Sequence, residues 1–165
     1  NELGKLCVKF YKKNKIATVI KHIPGHGGAN SDSHFVLPKV NDTLQSLKKK
    51  DFKCFKNTFS LFAMTAHVLY TKIDKKNNAT HSSIILKKII RKEIGYNGIL
   101  ISDDISMKAL KHNVVANAHI AINAGCNLVL YCAGKTTELK KLLNEMPYID
   151  KFTMKKTSEF YKFLS

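Results

Sequence analysis

Gly98-Ile99-Leu100-Ile101-Ser102-Asp103-Asp104 decides the fold. A short apolar run with no polar alternation reads as a strand buried on both faces, as in a parallel sheet. Helical patterns flank it. Upstream, Ile85, Ile89 and Ile90 keep helical spacing, with Ser82 or Ser83 as the cap and Gly95 as the residue that ends the helix. Downstream, Val114 to Ala124 is apolar enough for a second helix, ended by Gly125.

The same alternation extends in both directions. Residues 16–20 (Ile-Ala-Thr-Val-Ile), 61–68 (Leu-Phe-Ala-Met-Thr-Ala-His-Val) and 127–132 (Asn-Leu-Val-Leu-Tyr-Cys) read as three more strands. Strand starts near 16, 61, 98 and 127 are 45, 37 and 29 residues apart, the spacing of right-handed βα units. No hairpin signal lies between them, so the expected class is α/β with an all-parallel sheet. Two architectures fit, a small doubly wound sheet or part of a (β/α)8 barrel; a whole barrel takes ~250 residues, so four units would be half of one.

The remaining segments fill in around these strands. Leu3, Leu6, Cys7, Phe10 and Tyr11 predict an N-terminal helix, and residues 24–38 a loop bounded by Pro24 and Pro38. A helix is expected to start near Asp42 or Thr43, and Phe52, Phe55 and Phe59 to form an aromatic core cluster. The C-terminal remainder reads as helical, broken at Pro147.

At 165 residues and 44% hydrophobic, the chain suits one domain, 1–165, with an apolar core. Apolar runs of four to six residues are too short to span a membrane. No signal peptide is visible, and a start on Asn1 inside a helical pattern reads as part of a longer polypeptide. The formal charge of +16 would suit an anionic partner. However, the chain has 27 Lys but one Arg, with 15 Ile and 13 Asn, a composition pointing to codon bias. Nucleic-acid readers favour arginine for bidentate contacts, which argues against that partner. Cys7, Cys54, Cys126 and Cys132 lack CxxC spacing and are expected to be reduced core residues, with no zinc site.

Every notable polar group falls at or just beyond the C-terminal end of a predicted strand, the functional edge in either architecture. Lys21 and His22 follow the first strand, His67 ends the second, and Asp103 and Asp104 end the third. Asp103 is a candidate nucleophile or base, with Asp104 as its structural neighbour, because the pleat sends adjacent side chains to opposite sides. Asp32 and His34, one residue apart, would point the same way in an extended segment. A carboxylate beside an imidazole raises its basicity and suits proton transfer near neutral pH. Gly25 to Gly28 lacks the Gly-Lys-Ser/Thr of a phosphate loop.

Together these strings resemble glycoside hydrolase family 3, in particular its β-N-acetylhexosaminidase branch. That branch carries Lys-His-Phe-Pro-Gly-His-Gly-Asp-Thr, Asp-Ser-His, Leu-Pro, Met-x-x-His-Val and Ser-Asp-Asp followed by Met. The matching residues here are 21–27, 32–34, 37–38, 64–68 and 102–107, supported by Ile89 to Glu93 and by Ala124-Gly125-Cys126. The family's Asp-Thr is replaced by Gly28-Ala29.

The resemblance implies that this chain is the C-terminal half, strands five to eight, of a (β/α)8 barrel. It implies an enzyme, a retaining exo-β-N-acetylglucosaminidase acting on peptidoglycan-derived muropeptides in the cytoplasm, with no cofactor. Asp103 corresponds to the nucleophile, His34 to the histidine acid/base and Asp32 to its partner. Lys21 and His22 correspond to sugar-binding residues, and His67 joins them as a candidate substrate contact. The alternatives are a β-glucosidase of the same family, which the Asp-Ser-His loop argues against, and an inactive basic binding module built from a degenerate barrel half.

Overall fold

The structure, a computed structural model, describes residues 1–31 and 36–164. Helix α1 (Glu2–Lys13) leads into β1 (Val19–Ile23). The short β2 (Lys39–Val40) and α2 (Leu44–Lys49) precede β3 (Phe62–Thr65) and β4 (Leu69–Tyr70). A helix with π-type bonding (Ile84–Glu93) precedes β5 (Ile99–Asp104). The order then runs α3 (Val114–Ala124), β6 (Leu128–Leu130), α4 (Thr136–Glu145) and α5 (Lys151–Leu164).

The main sheet has the order β1-β3-β5-β6, and every pairing is parallel. Sequential order and parallel direction match the βα spacing. Local signals set the helix ends. Thr43 Oγ1 accepts from Ser46 N, Ser82 Oγ from Ile85 N and Asn113 Oδ1 from Ala116 N, each relieving an orphan donor of a first turn. Gly125, with φ +128°, terminates α3 in a conformation that a Cβ would strain.

Register defines two faces of unequal character. The row Ile20–Ala63–Leu100 packs under the helices, where Ile85, Leu86, Ile90 and Phe52 are fully buried. The opposite face carries Val19, Lys21, Met64 and Ile101 and is only partly covered. Asp103 lies two residues beyond Ile101 and like it is half-buried, inside a register irregularity of β5 in which Ile101 pairs with Leu128 and Asp104 with Leu130.

Several expectations are corrected. The first strand begins at Val19, not at Ile16; Ile16 and Val19 are 51% and 44% exposed because β1 is an edge strand. The second strand ends at Thr65. Leu69 and Tyr70 leave the main sheet to pair with Lys39 and Val40, so His67 sits in the link between two sheets. Phe59 does not join Phe52 in the core; it is 81% exposed, with φ +54°. Of the four cysteines only Cys126 is buried, and Cys7, Cys54 and Cys132 are exposed. The apolar residues of α1 form a stripe, but Leu3, Leu6 and Phe10 remain open to solvent. Among the described residues no helix is long and apolar enough to cross a membrane.

Candidate active site

Three strands deliver polar groups to one edge. Asp103, on β5, is 15% exposed at its side chain. Its Oδ1 accepts from Asp104 N at 2.9 Å, and its Oδ2 lies 3.5 Å from His22 Nε2. Lys21 and His22 come from β1, and the His26 ring stands 5.8 Å from that of His22. Burial holds the His22 imidazole below the ordinary histidine range; the Asp103 carboxylate opposes this, and Lys21, His26 and His67 reinforce it.

Asp104 serves the loop. Its Oδ1 accepts from Ser106 N at 3.0 Å and from Cys132 N at 3.1 Å, and both carboxylate oxygens accept from Ser106 Oγ. It thereby fixes the turn after β5 and the end of β6 together.

His67 is fully buried. Its Nε2 lies 3.0 Å from the Asp104 carbonyl, which can only accept, so Nε2 carries the proton. Nδ1 then accepts from Thr80 Oγ1 at 2.8 Å, and Thr65 Oγ1 donates to Thr80 Oγ1 at 2.8 Å. Burial lowers the imidazole's proton affinity, against the Asp104 carbonyl and the two carboxylates, and this favours the neutral tautomer. Both ring nitrogens are occupied by protein, so His67 offers none to a ligand.

The Pro24–Gly28 stretch is anchored by residues that motif spacing does not reveal. Gly25 has φ +151°, and a Cβ there would stand 2.5 Å from Asp51 Cβ. Tyr70 OH donates to the Gly25 carbonyl from the opposite side. Burial, with Asp42 nearby, pushes the Asp51 carboxyl upward. Gly28 is different: a Cβ would meet Val40 Cγ1 at 3.5 Å and Asp42 Oδ2 at 3.6 Å, ordinary contact. Space therefore does not force glycine at 28, although a carboxylate there would face that of Asp42. Tyr70 and Asp51 were missed because their approach to Gly25 is non-local; an isolated glycine after a strand was the available signal.

Lys21, His22, His26, Asp42 and Asp51 line a cleft of about 560 Å³. Another cavity of about 460 Å³ opens at the opposite strand ends, beside Ile16, Ser60, Tyr96 and Gly98. Its carboxylate, Glu159, is already paired with Lys156 at 2.7 Å. Among the described residues no group of three His, Cys, Asp or Glu side chains could hold a metal ion. Asp32 and His34 lie outside the described residues. The structure thus brings together Lys21, His22 and Asp103 and sets His67 behind them.

The sequence profile of the glycosyl hydrolase family 3 N-terminal domain matches residues 1–157. A beta-hexosaminidase from Methylobacillus flagellatus is 36% identical over 137 residues, covering 80% of this chain and 39% of its own length. The structure of a family 3 beta-N-acetylglucosaminidase from Paenibacillus is similar with a TM-score of 0.83 and 27% identity, over 98% of this chain and 33% of that one. NagZ from Neisseria gonorrhoeae, solved with N-trifluoroacetyl-D-glucosamine, gives 0.77 and 29% over 93% of this chain and 43% of that one. The chain spans less than half the length of the curated relatives it matches, from 39% to 46% of the first three.

Proposed function

The chain belongs to glycosyl hydrolase family 3, and on that premise we propose that the whole protein is a retaining exo-β-N-acetylglucosaminidase. Residues 1–165 would be the strand-five to strand-eight half of its (β/α)8 barrel. The sequential parallel order, the only partly covered second face and the edge positions of β1 and β6 among the described residues support this reading. An open parallel sheet face needs a cover, and closing the barrel supplies one.

The single observation that carries the chemistry is the Asp103 carboxylate. It sits at the C-terminal end of a rigid parallel strand, with a histidine at 3.5 Å. Asp103 attacks the anomeric carbon, the glycosidic bond breaks, and a glycosyl-aspartate ester forms. His34 protonates the leaving oxygen and then takes a proton from the water that hydrolyses the ester, and Asp32 raises its basicity. A histidine in this role departs from the usual pair of carboxylates. Lys21 faces the cleft as a sugar-hydroxyl donor. His67 acts behind the site, as a positioning residue through the Asp104 carbonyl. Muropeptides as substrate and the cytoplasm as compartment follow from the family resemblance.

The test is Asp103→Asn in the whole protein, which keeps shape and removes the attacking oxygen. Covalent catalysis then lacks its first step. Turnover of an aryl β-N-acetylglucosaminide should fall by several orders of magnitude. Activity kept within about tenfold, only ~1.4 kcal/mol, would rule Asp103 out.

A further inference from the structure

We propose that Tyr70 is a positioning residue for the acid/base loop and fastens both of its ends: its main chain holds the exit at Val40, and its hydroxyl holds the entry at Gly25. This rests on the reading of His34 as acid/base, and deepens it by naming what sets the place of the loop that carries it.

The loop leaves β1 after Ile23 and re-enters regular structure at β2. Asp32 and His34 fall between these points in the sequence. At the exit, β2 pairs parallel with β4, and Val40 stands opposite Tyr70. Leu69 N donates to the Pro38 carbonyl at 2.9 Å, and Thr71 N to the Val40 carbonyl at 3.0 Å. At the entry, Tyr70 OH donates to the Gly25 carbonyl. A carbonyl can only accept, so the phenol supplies the proton. Burial and the Asp51 carboxylate push the phenol upward and keep it a donor. Tyr70 is 1% exposed, which shelters this bond from water.

The same short segment reaches the strand of the nucleophile. Just before Tyr70, His67 Nε2 donates to the Asp104 carbonyl at 3.0 Å, and the Val68 carbonyl accepts from Ala79 N at 2.8 Å. Residues 67–70 thus connect the end of β5 to both ends of the loop. A retaining glycosidase needs its nucleophile and its acid/base at a fixed separation. Loop ends held by separate residues could shift independently; held by one residue, they move together. An aromatic side chain with two torsions is a stiff link for this purpose.

Tyr70→Phe in the whole protein keeps the ring and removes the donor. On an alkyl β-N-acetylglucosaminide, whose leaving oxygen needs the acid, kcat/KM should fall about ten- to a hundredfold, the scale of a small misplacement of a catalytic group. On a dinitrophenyl glycoside, which leaves with little acid help, it should fall less than about threefold. Placed on His34→Ala, the same change should cost nothing further, because the two act through one step. Equal losses on both substrates, or a full loss added to that of His34→Ala, would reduce Tyr70 to core packing and overturn the proposal. Independently of turnover, amide exchange read by peptide mass spectrometry should quicken over residues 24–31 in Tyr70→Phe and stay unchanged over α3. Unchanged exchange at 24–31 would overturn the anchor even in an active enzyme. In the unaltered protein the Tyr70 hydroxyl proton should exchange slowly and be visible by NMR; a hydroxyl in fast exchange would equally overturn it. Absent hexosaminidase activity in the unaltered protein would instead sink the functional reading, and the exchange measurements would still decide the anchor.

Discussion

At the N-terminal end of β5 the chain's one arginine is saturated by its own fold; at the C-terminal end of the same strand a carboxylate keeps an oxygen within reach of solvent. Arg91 donates to the Tyr96 and Gly98 carbonyls at 2.9 and 2.6 Å and to Asn127 Oδ1 at 2.8 Å. Its guanidinium lies over the rings of Tyr96 and Phe152 at 5.7 and 5.4 Å. Asn127 is equally occupied: its Oδ1 also accepts from Leu100 N and its Nδ2 donates to buried Thr153. At the other end Asp104, His67 and Thr80 are consumed by protein partners, whereas Lys21 and His22 line the cleft and Asp103 Oδ2 lies 3.5 Å from His22 Nε2. Polar groups whose bonds are all internal hold structure; those left with bonding capacity are the candidates for chemistry.

That contrast is open to attack at its strongest point first. Arg91→Ala removes its hydrogen bonds to the Tyr96 and Gly98 carbonyls and to Asn127 Oδ1, which keeps Leu100 N, at the base of β5, and should cost about 3 kcal/mol, from the loss of part-buried charged hydrogen bonds. For a domain of this size that is a fall in Tm of roughly 6–12 °C. Asp103→Asn should change Tm by little, within about 1 kcal/mol, as expected for an active-site group. Denaturant or thermal melts of the two variants, run beside activity, check both. Equal destabilisation by the two would erase the distinction between the ends.

A smaller effect sharpens the same comparison at the layer behind the cleft. Asp74 accepts from Ser82 Oγ at 2.7 Å, from Lys76 N at 2.9 Å and from Asn77 N at 3.1 Å, and so ties down the loop that brings Thr80 to His67. Burial raises its carboxyl, but these bonds overcome that and hold it below the usual carboxylate range. A folded-state value below the unfolded one means that its contribution is present above pH ~4 and is lost as pH falls through the folded value. Asp74→Asn should therefore cost on the order of 1–2 kcal/mol at pH 7. In urea melts the difference from the unaltered protein should close as pH drops from 5 to about 2. A pH-independent difference would show that the carboxylate's charge has no part in holding this loop.

Locally encoded features were legible in the sequence. Helix α3 matches its expected limits, Val114 and Ala124, because Asn113 caps it and Gly125 ends it within a single turn of chain. The helical tail breaks at Pro147, as expected, between α4 and α5. β5 was readable as a strand with carboxylates at its end, since a short apolar run flanked by helices has few other meanings. What escaped was non-local. Nothing in Met64 to Tyr70 announces that the strand leaves one sheet at Thr65 and joins another at Leu69, because the partner, Lys39–Val40, is thirty residues away. The buried setting of His67 depends on Thr80 and on the Asp104 carbonyl, and the pinning of Gly25 on Asp51 and Tyr70. In each case the motif residue was visible and its partners were not.

The most direct test of the account asks which atom forms the bond to sugar. Incubating the whole protein with a fluorinated N-acetylglucosaminyl donor that enters the first step quickly and leaves the second slowly should trap the intermediate. Peptide mass spectrometry should then place one glycosyl adduct on Asp103, on the strand Ile99–Asp104, with no adduct in Asp103→Asn. An adduct on any other residue, or turnover of the donor with Asp103 replaced, would contradict the assignment of the open end of β5 as the catalytic one.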